Sequence, residues 1–220
     1  MMDAVWEELH ASRPWGKYPA ETLIRLAMRT YRTPEIRAQT KVLELGCGAG
    51  ANLSFLLAEG FQTYGLDGAP TAIAKAEARL RPLVKDGQTL DLKTMTFEEL
   101  PSGTEQFDLI VDHFAIYANP LTTITQTYDN VYRMLADGGR FYASVWGRQT
   151  TGADSGVMIE TATSQNPTCG PCKEMGVSHF FDRPEIEQLF AAWSELTITR
   201  RLTDEANGDT VEEFIIWAQK

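Results

Sequence analysis

The strongest constraint on this chain is the run Val42-Leu43-Glu44-Leu45-Gly46-Cys47-Gly48-Ala49-Gly50-Ala51-Asn52, followed by a lone aspartate, Asp67, closing the next apolar stretch. Val42, Leu43 and Leu45 specify a buried strand, and Gly46, Gly48 and Gly50 a turn free of Cβ atoms. A ligand can lie directly on such a backbone, beside the unpaired N–H groups that open the following helix. Asp67 comes about twenty residues on, where a second parallel strand delivers a carboxylate to a ribose diol. Together they predict a site for an adenosine-containing cofactor.

The rest of the chain supplies a matching frame. Strands are expected near 41–46, 62–67, 89–95, 107–112 and 139–146, with helices near 51–59, 70–81, 120–135 and 183–193. Strand and helix repeated in this way mean a parallel sheet with helices on both faces. Helical periodicity dominates the first 35 residues, with Val5, Trp6 and Leu9 on one face and Leu23, Ile24, Ala27, Met28 and Tyr31 on another. Pro14, Gly16 and Pro19 separate the two helices. Residues 147–178, rich in Gly, Thr, Ser and Pro, form a long loop with room for a short strand, and such loops in compact domains usually carry function. The last two runs, 194–203 and 210–219, flank Asn207-Gly208, a hairpin signal. A single domain over 1–220 is expected, with 1–38 as an N-terminal helical lid and 147–180 as an insertion or lid loop.

Composition narrows the class. Hydrophobic residues make up 43% of the chain and charged residues 23%, as in ordinary globular domains. The net charge of −10 repels phosphate backbones, so neither nucleic acid nor an anionic membrane is expected as partner. Arg29, Arg32, Arg37 and Lys41 read as a solvated helix face. No apolar run approaches a membrane span of about 18 residues, and Met1 to Leu9 is acidic and amphipathic, unlike a signal sequence. Three cysteines, an odd number, point to a reducing, cytoplasmic setting.

Gly46-x-Gly48-x-x-Ala51 satisfies a relaxed dinucleotide fingerprint, which keeps an NAD-dependent oxidoreductase open. Glu44, two residues before the first glycine, argues for a different ligand. Its carboxylate would repel a pyrophosphate and attract the α-ammonium of a methionine moiety. The alternating glycines also suit a slimmer ligand.

Glu44-x-Gly46-x-Gly48-x-Gly50 resembles the signature of class I S-adenosylmethionine-dependent methyltransferases. Three further segments resemble that family: Gly65-Leu66-Asp67-Gly68, Leu100-Pro101 before Phe107-Asp108-Leu109-Ile110-Val111-Asp112, and Leu135-Ala136-Asp137-Gly138-Gly139-Arg140-Phe141. The last matches the family's Leu-Lys-Pro-Gly-Gly turn with two substitutions. The resemblance covers roughly residues 5 to 220. It implies an α/β, three-layer Rossmann-like fold with a mostly parallel seven-stranded sheet, an antiparallel C-terminal strand and helices on both faces. It also implies S-adenosyl-L-methionine as cofactor, with S-adenosyl-L-homocysteine as product.

By that resemblance the Gly46–Gly50 backbone cradles the methionine portion, with Glu44 on its ammonium, Asp67 on the ribose and Gly68 leaving room for adenine. Cys47 as a small filler, Asn52 and an orienting Asp112 complete the cofactor set. The family often places an Asp four residues before the Leu-Pro. Here that position is Thr96, followed by Phe97, so the adenine amino bond falls to a hydroxyl. Trp15-Gly16-Lys17-Tyr18-Pro19 resembles the lid entry of a subgroup of small bacterial and archaeal members, which is followed by a helix with an arginine, here Arg25. Trp15 and Tyr18 would cover the sulfonium with aromatic faces; simple packing of an N-terminal helix is the alternative.

For the chemistry, His113 at the end of the fourth strand is the general-base candidate, an imidazole close to its free pKa. A satisfied structural histidine remains its alternative. His179 is a second base candidate, His10 reads as a surface residue, and Tyr117 and Asn119 could line the acceptor side. Cys169-Gly170-Pro171-Cys172 has the thioredoxin string and could also be half of a zinc site. It lacks the strand-to-helix context of the former and the ligands of the latter. The subgroup often shows a Gly-Pro turn before a Gly-x-x-His/Arg-Phe strand, so the cysteines read as flanking a lid turn, and no metal is expected. The expected activity is methyl transfer to oxygen or nitrogen of a small-molecule acceptor, a metabolite or a sugar. An NAD-dependent oxidoreductase and a non-catalytic S-adenosylmethionine-binding protein are the alternatives.

Overall fold

Apolar residues in the central strands alternate between two hydrophobic cores, and that alternation fixes the architecture. The computed structural model describes residues 4–100 and 106–220. Met1 to Asp3 of the N-terminal stretch and Pro101 of the Leu100-Pro101 pair lie outside the described residues. The strands β1 (Lys41–Leu45), β2 (Gln62–Asp67), β3 (Leu90–Thr94), β4 (Phe107–His113) and β5 (Leu135–Trp146) join β9 (Glu195–Asp204) and β10 (Thr210–Gln219) in one sheet. Its order is β3-β2-β1-β4-β5-β10-β9.

Val42, Leu109, Val111, Tyr142 and Ile215 belong to one core, with Leu23 of α2 (Glu21–Thr30), Leu53 of α4 (Ala51–Ala58) and Leu80 of α5 (Pro70–Leu80). Leu43, Ile110, Phe141, Phe214 and Ile216 belong to the other, with Val131 of α6 (Leu121–Met134) and Ile186 of α7 (Arg183–Leu189). Neighbouring strand residues point to opposite faces, so helices cover both sides of a buried sheet. The three layers are those expected. β10 runs antiparallel to both β5 and β9, while the pairs among β1 to β5 are parallel. The classic dinucleotide order continues in parallel at that position.

Several local expectations change. A third helix, α3 (Pro34–Gln39), follows α2; Thr33 caps it by accepting from Ile36 N, and Pro34 opens it. Arg37 on this helix is not solvated. It is buried, donating to Glu59 O at 2.8 Å, Tyr31 O at 3.2 Å and Arg32 O at 3.1 Å. α6 passes directly into β5, so the Leu135–Gly139 turn lies within a strand, at a register shift opposite Phe107–Leu109.

The 147–180 segment carries a small antiparallel sheet of β6 (Val157–Glu160), β7 (Thr163–Gln165) and β8 (Val177–His179). Of the 1–38 segment, α2 packs into the sheet core, with Thr22 Oγ1 hydrogen-bonded to Tyr142 OH at 2.6 Å. Only α1 (Val5–Ser12) and the irregular stretch after it lie over the crevice described next.

Candidate cofactor and active site

Open α/β sheets bind ligands outside the carboxyl ends of their strands, where the order reverses. Here that point lies between β1 and β4, and a cavity of about 380 Å³ opens there. It brings together Trp15, Tyr18, Glu44, Gly46, Cys47, Gly48, Asn52, Asp67, Gly68, Thr96, Phe97 and His113.

The glycine loop after β1 is shaped by close approach. Gly46 has φ +66° and a Cβ there would overlap Ala115; Gly48 has φ +51°. A side chain at either position would be strained. Gly48 N donates to Asp67 Oδ2 at 2.9 Å, and Ala69 N to Asp67 Oδ1 at 2.8 Å. Loop and carboxylate thus hold each other in place. Each oxygen keeps a lone pair for a further donor such as a ribose hydroxyl. Burial raises the Asp67 pKa, and the two backbone N–H groups and His10 oppose that rise.

Glu44 is the central group. Its Oε1 accepts from Asn52 Nδ2 at 2.7 Å, and Asn52 Oδ1 in turn accepts from Ala20 N at 2.9 Å. Its Oε2 is buried with no partner. Burial raises its pKa to about 8, and the Asp67 and Asp112 carboxylates add to that, while the Asn52 bond and the Leu53 backbone N–H work against it. A buried carboxylate oxygen without a donor is costly, and a cationic ligand group would supply the missing one.

At the opposite end, Thr96 N and Oγ1 donate to Glu99 Oε2 at 2.8 and 3.0 Å. The hydroxyl proton is thereby committed, and its oxygen, which also caps the Glu99 backbone N–H, keeps one lone pair as an acceptor, the role an adenine amino group requires. Phe97 lies beside it on the wall.

Three expected site residues lie elsewhere. Gly50 packs toward Leu80 and Ala76 of α5, not into the cavity. Asp112 is fully buried and absent from the cavity wall; its Oδ1 accepts from Ala115 N at 2.9 Å and Ile116 N at 3.1 Å, so it holds the turn that carries the next residues, and its Oδ2 has no partner. Burial raises its pKa to about 7. His179 is fully buried with both ring nitrogens engaged, Nδ1 with Thr163 Oγ1 at 2.6 Å and Nε2 with Glu185 Oε2 at 3.1 Å. It ties β7, β8 and α7 together and is off the cavity wall.

His113 does line the cavity, with Nδ1 buried and unpartnered. Burial lowers its pKa to about 4, so the ring is neutral near pH 7 and a weaker base than a free imidazole.

The residue missed is His10. It is 5% exposed, stacks on Trp15 at 4.6 Å between centroids, and lines the cavity beside Gly48. Helix α1 is pinned to α5 by Glu7 against Thr71 and by Lys75 donating to His10 O. Burial lowers the His10 pKa, and Asp67 opposes this.

Cys169 is exposed, Cys172 buried, and both are free. Burial pushes the Cys172 thiol up to about 11, the opposite of an activated redox thiol. Among the described residues, no cluster of three or more His, Cys, Asp or Glu side chains could hold a metal ion.

Comparison with known proteins agrees with this geometry. Residues 43–141 match the family described as methyltransferase domain. The chain is similar to an uncharacterized methyltransferase of Synechocystis, 32% identical over 101 residues, covering 46% of this chain and 44% of that protein. It is also similar to a ubiquinone biosynthesis O-methyltransferase of Methylobacterium, 30% identical over 120 residues, covering 52% and 44%. The matched stretch therefore spans less than half the length of these relatives.

Among solved structures, a SAM-dependent methyltransferase from Methanosarcina mazei superposes with a TM-score of 0.67 at 21% identity, covering 88% of this chain and 96% of that one. The N-methyltransferase NodS from Bradyrhizobium japonicum, in complex with S-adenosylhomocysteine, superposes with a TM-score of 0.64 at 19% identity over 99% of each chain. Sheet order, closing antiparallel strand and crevice define the class I methyltransferase fold. The chain has the fold of the S-adenosylmethionine-dependent methyltransferases it superposes on, and residues 43–141 match the methyltransferase domain family.

Proposed function

We propose that the protein transfers a methyl group from S-adenosyl-L-methionine to oxygen or nitrogen of a small-molecule acceptor, leaving S-adenosyl-L-homocysteine. The observation that carries this reading is the buried, unpartnered Glu44 Oε2 beside a glycine loop where a side chain would be strained. It fits an α-ammonium and opposes a pyrophosphate, which sets the NAD-dependent reading aside. S-adenosylmethionine, once bound, supplies a methyl group already activated on a sulfonium.

The chain's own residues position, shield and orient. Glu44, held by Asn52, takes the ammonium, the Gly46–Gly48 backbone and Cys47 the methionine chain, and Asp67 the ribose. Gly68, Thr96 and Phe97 take the adenine. Trp15, with α1 behind it, covers the crevice and excludes water, which strengthens every polar contact inside, whereas Tyr18, expected to share that role, is 80% exposed and stands at the rim. His113 accepts or donates one hydrogen bond at the acceptor and holds its proton at Nδ1 or Nε2. With the lowered pKa, it orients more than it abstracts, and proximity provides most of the rate.

The net charge of −10 favours a metabolite or sugar over nucleic acid. Among the described residues no helix is long and apolar enough to cross a membrane, and three unpaired thiols suit the cytoplasm. A non-catalytic binding protein is the rival reading. Incubation with methyl-labelled S-adenosylmethionine and a small-molecule extract separates the two. Label in a compound that survives protein removal supports methyl transfer, and tight cofactor binding with no labelled product from any extract contradicts it.

A further inference from the structure

The acceptor end of the cavity has a chemistry of its own, built around Phe114. This residue sits at φ +54°, a left-handed conformation that non-glycine residues adopt only when their surroundings impose it. Those surroundings are visible. Asp112 clamps the following backbone through Ala115 N and Ile116 N, and Phe114 N donates to Ser144 O at 3.0 Å.

Behind the ring, outside the cavity, Trp146 stacks at 3.9 Å and 22°, and Tyr117 meets both rings edge-on at 6.4 and 6.3 Å. Phe114 is thus a rigid aromatic plate backed by a second one, with its remaining surface on the cavity wall beside His113, 4.9 Å away between centroids. Trp6, Trp15 and Tyr18 line the same cavity from the N-terminal segment.

Charge narrows the occupant further. Asp67 keeps a carboxylate in this cavity, and Glu44 adds a second once it ionises against the ligand's ammonium, so an anionic acceptor enters an unfavourable field. A cationic acceptor would lie beside the sulfonium and be repelled by it. A neutral ring meets neither cost, and aromatic faces add several-fold preference for a flat partner over a saturated one of equal size. The polar side chains beside it on the cavity wall are Asn119 and His113, whose Nδ1 has no partner.

We propose that the acceptor is a flat, uncharged aromatic ring bearing a hydroxyl or ring N–H, seated against Phe114 with that polar group at His113. This rests on the methyl-transfer reading above. The test is calorimetry on protein saturated with S-adenosylhomocysteine, titrated with 2-naphthol, its saturated counterpart decahydro-2-naphthol, and 2-naphthoate.

The expected result is that 2-naphthol binds roughly three- to tenfold tighter than the saturated alcohol, and tighter than the carboxylate. Phe114→Leu should erase the first difference with the affinity for S-adenosylhomocysteine within about twofold. Equal or tighter binding of the saturated alcohol to the wild-type protein, or tightest binding of the naphthoate, overturns the proposal whatever the variant does. If S-adenosylhomocysteine binds and these preferences are absent, this inference alone fails. If S-adenosylhomocysteine does not bind, the methyl-transfer reading fails and takes this one with it.

Discussion

Asn52 donates from Nδ2 to Glu44 Oε1 at 2.7 Å, and the other oxygen of that carboxylate is buried with no donor. One half of the group is pinned and the other half is left for a ligand. The folded protein therefore carries an unfavourable buried acid until a cation arrives, which has consequences for both stability and binding.

With its pKa raised to about 8 in the fold, Glu44 holds a proton that the unfolded chain has already released at neutral pH. Its contribution is most favourable below the unfolded carboxylate value near 4.3 and is lost as pH rises through 8. Glu44→Gln keeps an acceptor for Asn52 and removes the charge. Thermal melts of the ligand-free variant should exceed wild type by at least about 2–4 °C at pH 9, with the gap closing at pH 5. A gap that widens toward acid would contradict the assignment.

His113 moves in the other direction. Its pKa is lowered to about 4 in the fold, so the unfolded chain takes up a proton first. The stability tied to its neutral ring is full above about 6.5 and declines as pH falls from there through 4. His113→Phe should flatten that acid limb. In kinetics, His113→Ala should lower kcat by roughly ten- to a hundredfold, at or below the lower end of acid–base effects, with affinity for S-adenosylhomocysteine nearly unchanged. A kcat/KM profile with a limb near pH 6.5 that disappears in the variant would show that His113 titrates as a free imidazole.

His179→Ala should behave as a purely structural change. It takes the ring from Thr163 Oγ1, which keeps Glu160, and from Glu185, which keeps Arg148, and it empties a fully buried site, a loss of about 0.5–3 kcal/mol in all. Denaturant melts should show the destabilisation while cofactor affinity stays at the wild-type value. Lost turnover at unchanged stability would return His179 to the active site.

The two cysteines of the 169–172 turn should separate cleanly. Cys169 is exposed and Cys172 buried, so Cys169→Ser should change stability by no more than about 0.5 kcal/mol. Cys172→Ser, which places a hydroxyl in the core, should cost about 1–3 kcal/mol. Neither melt should depend on added reductant; a reductant-dependent wild-type melt would indicate a redox role after all.

The site was legible in the sequence where local rules governed it. The strand β1, its glycine turn, Glu44 and Asp67 are fixed by apolar runs and backbone geometry. The repetition of strand and helix from 41 to 146 implied a parallel sheet with helices on both faces, and Val42 against Leu43 and Leu109 against Ile110 face its two cores. His10 was illegible because α1 is placed by Glu7 on Thr71 and by Lys75 on His10 O, contacts more than sixty residues away in sequence.

Asp112 and His179 were misplaced for a related reason. A strand-end position predicts nearness to the crevice, but backbone N–H groups of the following turn claimed one side chain and the β7 hydroxyl and α7 carboxylate claimed the other. Arg37 looked solvated because its partners are mostly carbonyl oxygens, which no charge pattern reveals. The short strands β6 to β8 gave no period because each has only three or four residues.

The most direct test of the central claim is calorimetric titration of the wild-type protein and Glu44→Gln with S-adenosylmethionine, S-adenosylhomocysteine and NAD. Wild type should bind both sulfur nucleosides and not NAD. It should release a proton on binding below pH 8, as Glu44 ionises against the ammonium. Glu44→Gln should weaken both by about ten- to a hundredfold, the worth of a charge-assisted hydrogen bond. Binding of NAD alone, or affinity for the sulfur nucleosides that ignores Glu44→Gln, would contradict the account.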